Sequence, residues 1–213
     1  MAPWRATSFI AGVFLVWVAL GSPLAAYEHE LLTVHMIQHL LLMTIAPGLI
    51  LLGQPHLAFW HRLSRWGHVV LSRPALCWTV SALTLIAWHT PVLLTLAMHS
   101  RAWHAVEQSS FLIAGFIFWW PVVQPWTDVS SGPQWSTLLY LFLATLPCDV
   151  LAGFLVFSDR VAYPVYFSMP RHVGLSVLED QQCAAALMWT VVTFIYLVPA
   201  AILSTRLLSP RGF

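Results

Sequence analysis

Long apolar stretches separated by short polar joints run the length of the chain. A bilayer span needs roughly 20 mostly apolar residues, and six stretches approach that length: near Ser8–Gly21, Leu31–Gly53, Pro74–Met98, Trp103–Val122, Trp135–Phe157 and Asp180–Leu207. The pattern predicts an all-α fold, a polytopic membrane helix bundle forming one integral membrane domain over residues 1–213. The stretch 57–71 differs. It interleaves Trp, Leu and Arg at helical spacing and reads as an amphipathic helix on the membrane interface, with His56, His61 and His68 as polar-face residues. Trp4, Trp60, Trp66, Trp119, Trp120, Trp126 and Trp135 fall near predicted span ends, as an aromatic belt does. The first stretch follows Arg5 and resembles a signal peptide. Leu or Pro at the −3 position of Pro23-Leu24-Ala25-Ala26 makes a poor cleavage site, so a retained helix is expected.

Composition makes the membrane reading firm. The 213 residues are 59% hydrophobic and 8% charged, with a mean hydropathy of +0.77, whereas a soluble domain carries roughly 25% charged residues. So few charges cannot cover a water-facing surface, which excludes a cytosolic enzyme, a secreted disulfide scaffold and a disordered tail. The net charge of +1 includes no basic run, so nucleic acid is not a partner. Cys77, Cys148 and Cys183 are isolated and read as small hydrophobes. Arginine placement orients the bundle. With both termini cytoplasmic, Arg5, Arg62, Arg65, Arg73, Arg206 and Arg211 lie inside and Arg101, Arg160 and Arg171 outside, where Glu28, Glu30, Asp159, Glu179 and Asp180 also gather.

Ten histidines among seventeen charged residues are the anomaly. Ionisable groups within spans are expensive and mark functional candidates. His35 and His39 stand at i and i+4, on one helix face, with Gln38 beside them; two imidazoles so placed can share a metal ion. His89 precedes Pro91, which should kink the third span, and could equally serve a carbonyl freed by that kink. His104, Glu107 and Gln108 share a face of the fourth span, where a carboxylate can orient a metal-bound imidazole. Asp149 is set deep in the fifth span, and Glu179 and Asp180 open the sixth, as a helix dipole alone would favour. His29, His99 and His172 belong to outer loops. Counted at 1.5 Å per residue, the intramembrane groups fall within one outer layer roughly 12–15 Å thick. Independent histidines have no reason to choose one leaflet; a shared polar site does.

Such a group of His, Asp and Glu suits zinc, copper or iron, and Met36, Met98, Cys148 and Cys183 are near enough in depth to soften the set for Cu(I). Haem b held between histidines of two helices, a proton or ion path, and a ligand-free polar core remain alternatives.

The strings His35-Met36-Ile37-Gln38-His39-Leu40-Leu41-Leu42-Met43, Ala46-Pro47 and Leu52-Gly53-Gln54-Pro55 resemble the CtaG family of cytochrome c oxidase assembly proteins. So do Trp88-His89-Thr90-Pro91, Trp103-His104-Ala105-Val106-Glu107, Phe118-Trp119-Trp120-Pro121 and Glu179-Asp180-Gln181-Gln182 with Met188-Trp189. The resemblance implies a multi-pass protein of the bacterial inner membrane that delivers copper to the copper B centre of a haem–copper oxidase; that role requires no covalent chemistry, so an enzyme is not expected. It places His35, His39, His89, His104, Glu107 and Asp180 on the family's polar positions, and Gln108 where a second histidine is expected. The expected metal set is therefore His35, His39, His89, His104, Glu107, Asp149 and Asp180, with copper as the ion and haem b as the alternative. The partners implied are the oxidase catalytic subunit, the lipid bilayer and a periplasmic copper donor, with a homodimer as a further option.

Overall fold

The computed structural model describes residues 3–53, 71–123, 134–170 and 174–208. The interfacial helix expected over 57–71 falls almost wholly outside them, as do His56, His61, His68, Trp126 and His172. The described residues are helices and their joints. They comprise α1 (Pro3–Gly21), α2 (Leu32–Leu52), α3 (Pro74–Trp88), α4 (Pro91–His99), α5 (Arg101–Val123), α6 (Gln134–Val156) and α7 (Val177–Leu208). Five are long and apolar enough to cross a membrane, and six spans result when α3 and α4 count as one bent span. Phe14, Trp17, Phe142, Val150, Phe154 and Phe194 are exposed along these spans. That is the reverse of a soluble protein, and lipid is the solvent that accepts it.

The third expected span, Pro74–Met98, is broken rather than continuous. Its halves meet at a bend of 70° around His89 and Thr90. Pro91 cannot donate to the Ala87 carbonyl, and it forces Thr90 into extended backbone at φ −72°, ψ 138°. The carbonyls at the break find other donors: Thr90 Oγ1 donates to Ala87 O at 2.7 Å, and Tyr163 Oη donates to His89 O at 3.0 Å.

Proline shapes α2 as well. Between Leu40 and Ile45 the helix widens to a π turn, in which the Ala46 N–H reaches the Leu41 carbonyl five residues back. Pro47 is the local cause, because it cannot bond the Met43 carbonyl and would clash with it in a regular turn. The widened turn is held from outside. Trp119 Nε1 donates to the Thr44 carbonyl at 2.8 Å, and a Cβ added to Gly115 would lie 2.5 Å from the Met43 carbonyl oxygen. Gly115→Ala should therefore cost about 1–3 kcal/mol through overpacking. Gly153, with nothing within 4 Å of a built Cβ, should tolerate the same change. Thermal unfolding in detergent checks this, and equal melting of the two variants would refute the tight contact.

At one end of the bundle α7 organises three partners through consecutive residues. Asp180 crosses to the start of α2, which has no side-chain cap of its own. Its carboxylate accepts from Leu32 N at 2.8 Å, Thr33 N at 3.1 Å and Thr33 Oγ1 at 2.7 Å. Gln181 Oε1 accepts from Ala162 N at 2.7 Å while its amide donates to Arg160 O at 3.2 Å and Leu155 O at 3.3 Å. Gln182 Nε2 donates to Ser158 O at 3.4 Å. Glu179 stays local, closing a reciprocal cap with Ser176 at the start of α7 itself. The connection after α6, stitched down in this way, brings Tyr163 and Tyr166 fully inside the bundle.

Candidate metal centre

The helical register of α2 puts the rings of His35 and His39 4.2 Å apart, one above the other on the face turned toward α5. Glu107 of α5 meets them there. Its Oε1 lies 3.4 Å from His35 Nε2 and 3.5 Å from His39 Nε2, with both His35 and Glu107 fully buried. These separations are longer than an N–H···O hydrogen bond of roughly 2.7–3.2 Å. They match the edge of a tetrahedron, about 3.3 Å, around an ion with bonds of roughly 2.0–2.1 Å. Both ring nitrogens of His35 and His39 and both carboxylate oxygens of Glu107 are buried without a hydrogen-bond partner. Leaving so many polar atoms unsatisfied is costly, and a cation bound between them would take one nitrogen from each imidazole and the Glu107 carboxylate. The donor set thus fits a metal.

His104 connects this trio to a second. Its Nε2 is 3.9 Å from Glu107 Oε2, and its Nδ1 is 3.4 Å from Glu28 Oε1. Glu28 also lies 3.6 Å from His29 Nε2, so Glu28, His29 and His104 form a group with ligand atoms within 4.8 Å of one another. Gln108 faces this outer group: its amide lies 3.2 Å from His104 Nε2 and 3.5 Å from Glu28 Oε2. Glu28 sits in the turn before α2, under Tyr166, whose hydroxyl donates to the Glu28 carbonyl at 3.4 Å. Burial pushes the Glu28 carboxyl above its usual range, with Gln38 and His29 pulling the other way.

The remaining expected residues divide. His89 does serve the kink, since its Nδ1 lies 2.8 Å from the Leu85 carbonyl. A carbonyl only accepts, so the proton is on Nδ1 and Nε2 carries a bare lone pair, buried and unpartnered. That ring is 6.0 Å from His39, across a pocket of ≈ 40 Å³ that also touches Met36, Met43, Cys148 and Met188. The volume holds an ion or a water or two; a haem-sized ligand needs several hundred Å³. Asp180 is drawn to the start of α2 as described, and Asp149 joins neither trio among the described residues, although its Oδ1 is buried without a hydrogen bond. Sequence reasoning missed Glu28 and His29. The available signal was spacing: Glu28, His35 and His39 fall at i, i+7 and i+11, one continued helix face across a turn.

Fold and site together define a multi-pass helical membrane protein with a buried imidazole–carboxylate cluster able to hold a metal ion. No curated protein and no solved structure matches the chain significantly. A family model does: the chain belongs to the cytochrome c oxidase caa3 assembly factors (Caa3_CtaG), matched over residues 1–209. It is a membrane protein of cytochrome c oxidase assembly.

Proposed function

We propose that this assembly factor carries copper as its cargo and delivers it to the copper B centre of the oxidase catalytic subunit. His35, His39 and Glu107 would hold the ion, in the outer half of the bacterial inner membrane. The observation that carries the reading is the set of six unsatisfied nitrogen and oxygen atoms on these three buried side chains. Hydrogen bonding does not account for them, and an ion held by His35 Nε2, His39 Nε2 and the Glu107 carboxylate would engage one face of the cluster. Glu107 also supplies the negative charge that an ion taken out of water requires.

The arrangement suits a carrier rather than a permanent metal site. Three donors leave one tetrahedral position open for a ligand of the receiving protein. The thioethers and thiol around the neighbouring pocket, with the lone pair of His89, offer softer ligands of the kind Cu(I) prefers. His35 and His39 lie in the first turns of a span, so the ion travels a short way to a periplasmic donor or to a membrane partner alongside. No bond of a substrate is made or broken in this role.

The test is the metal content of the oxidase. Oxidase purified from cells lacking this chain should keep its haem and lose its copper B, with copper restored by the wild-type gene or by excess external copper. Full copper occupancy in the absence of the chain would remove the delivery role.

A further inference from the structure

The imidazoles of this protein form a ladder. Ring centroids step from His29 to His104 at 5.6 Å, to His35 at 5.9 Å, to His39 at 4.2 Å and to His89 at 6.0 Å. Exposure falls over its first three rungs: the His29 side chain is 44% exposed, His104 10% and His35 0%. A carboxylate stands at each of the first two levels, Glu28 between His29 and His104, and Glu107 between His104 and the His35–His39 pair. A closed structural core would not need one end of the ladder at the surface. The buried trio also has no exposed donor of its own, so an ion must be handed to it.

We propose that Glu28, His29 and His104 form an outer capture site that loads the buried trio, with His104 passing the ion inward. His104 is placed for this because its two nitrogens face different carboxylates, Nδ1 toward Glu28 and Nε2 toward Glu107. Gln108, reaching both His104 and Glu28, holds the two in register. Transfer is ligand exchange: one bond to Glu28 or His29 is released as one to Glu107 or His35 forms, and the ion keeps its oxidation state. Glu28 keeps the ion neutralised in the outer position as Glu107 does in the inner one.

This inference rests on the buried trio holding copper, and the experiment separates the two. Full-length protein in detergent takes up Cu(I) from its coloured bicinchoninate complex, followed by stopped-flow absorbance. Glu28→Gln/His29→Ala should slow uptake by about tenfold or more, since a charged funnel raises on-rates by 10–10³, while final copper per chain stays at the wild-type level. Equal uptake rates for wild type and variant overturn the capture site and leave the buried trio standing. A wild-type chain that takes up no copper overturns both. His29→Ala alone, at a side chain that is 44% exposed, guards against misfolding of the double variant and should slow uptake in the same direction.

Discussion

His35→Ala/His39→Ala should strip copper from the purified protein, weakening its binding by more than ~100-fold. Loss of an orienting partner alone costs 10–100-fold, and this variant removes two of the three donors, those lying 3.4 and 3.5 Å from Glu107 Oε1. Elemental analysis after dialysis reads the effect directly. A second readout separates lost ligands from a damaged fold. Neither imidazole makes a protein hydrogen bond, so the variant forfeits no such bond. Copper at 100 times its dissociation constant should stabilise the wild type by about 2.7 kcal/mol and leave the variant's unfolding unmoved. Equal copper in both proteins would dismantle the centre proposed for α2 and α5.

Asp180→Ala should be strongly destabilising. It strands two N–H groups at the start of α2 and removes a carboxylate from the positive end of that helix. Each stranded donor costs about 1–3 kcal/mol, giving an expected total of about 2–6 kcal/mol for the two. Asp180→Asn keeps an acceptor and should recover part of it. Denaturant titration in detergent micelles measures the difference. The outcome also decides what Asp180 does: a metal ligand would lose copper at unchanged stability, whereas a helix cap loses stability first and keeps its copper at low temperature. Unchanged stability in Asp180→Ala would overturn the capping role.

These two variants mark the border of what the sequence discloses. His35 and His39 are legible because an α-helix fixes the geometry of i and i+4, and nothing beyond the helix is needed to bring their rings together. His104 and Glu107 are legible as a pair for the same reason. Asp180 is legible only as a polar residue at the right depth, and depth is shared by the metal trio and the N-terminus of α2 alike. Its choice between them depends on how α7 sits against α2. Glu28 is hidden more deeply. In sequence it is one of several acidic residues before a span; the turn ahead of α2 and the folded-in Tyr166 are what bury it. The break at His89 was foreshadowed by Pro91, but its size of 70° reflects Thr90 going extended as well. The π turn in α2 was not read from the sequence, although Pro47 follows it, and Gly115 and Trp119 from another helix pack against it.

By itself the sequence determined that this is a helical membrane bundle, how its spans are spaced, and which residues stack on each helix. Those properties follow from transfer free energy and from helical periodicity, both of them local. Only the tertiary structure decided which helix faces meet. The rotation of one apolar helix against another is set by close packing of side chains far apart in the chain, and no spacing within a helix encodes it. That packing brought Glu107 to the two histidines of α2, sent Asp180 to cap α2, and turned an outer-loop glutamate into the neighbour of His104.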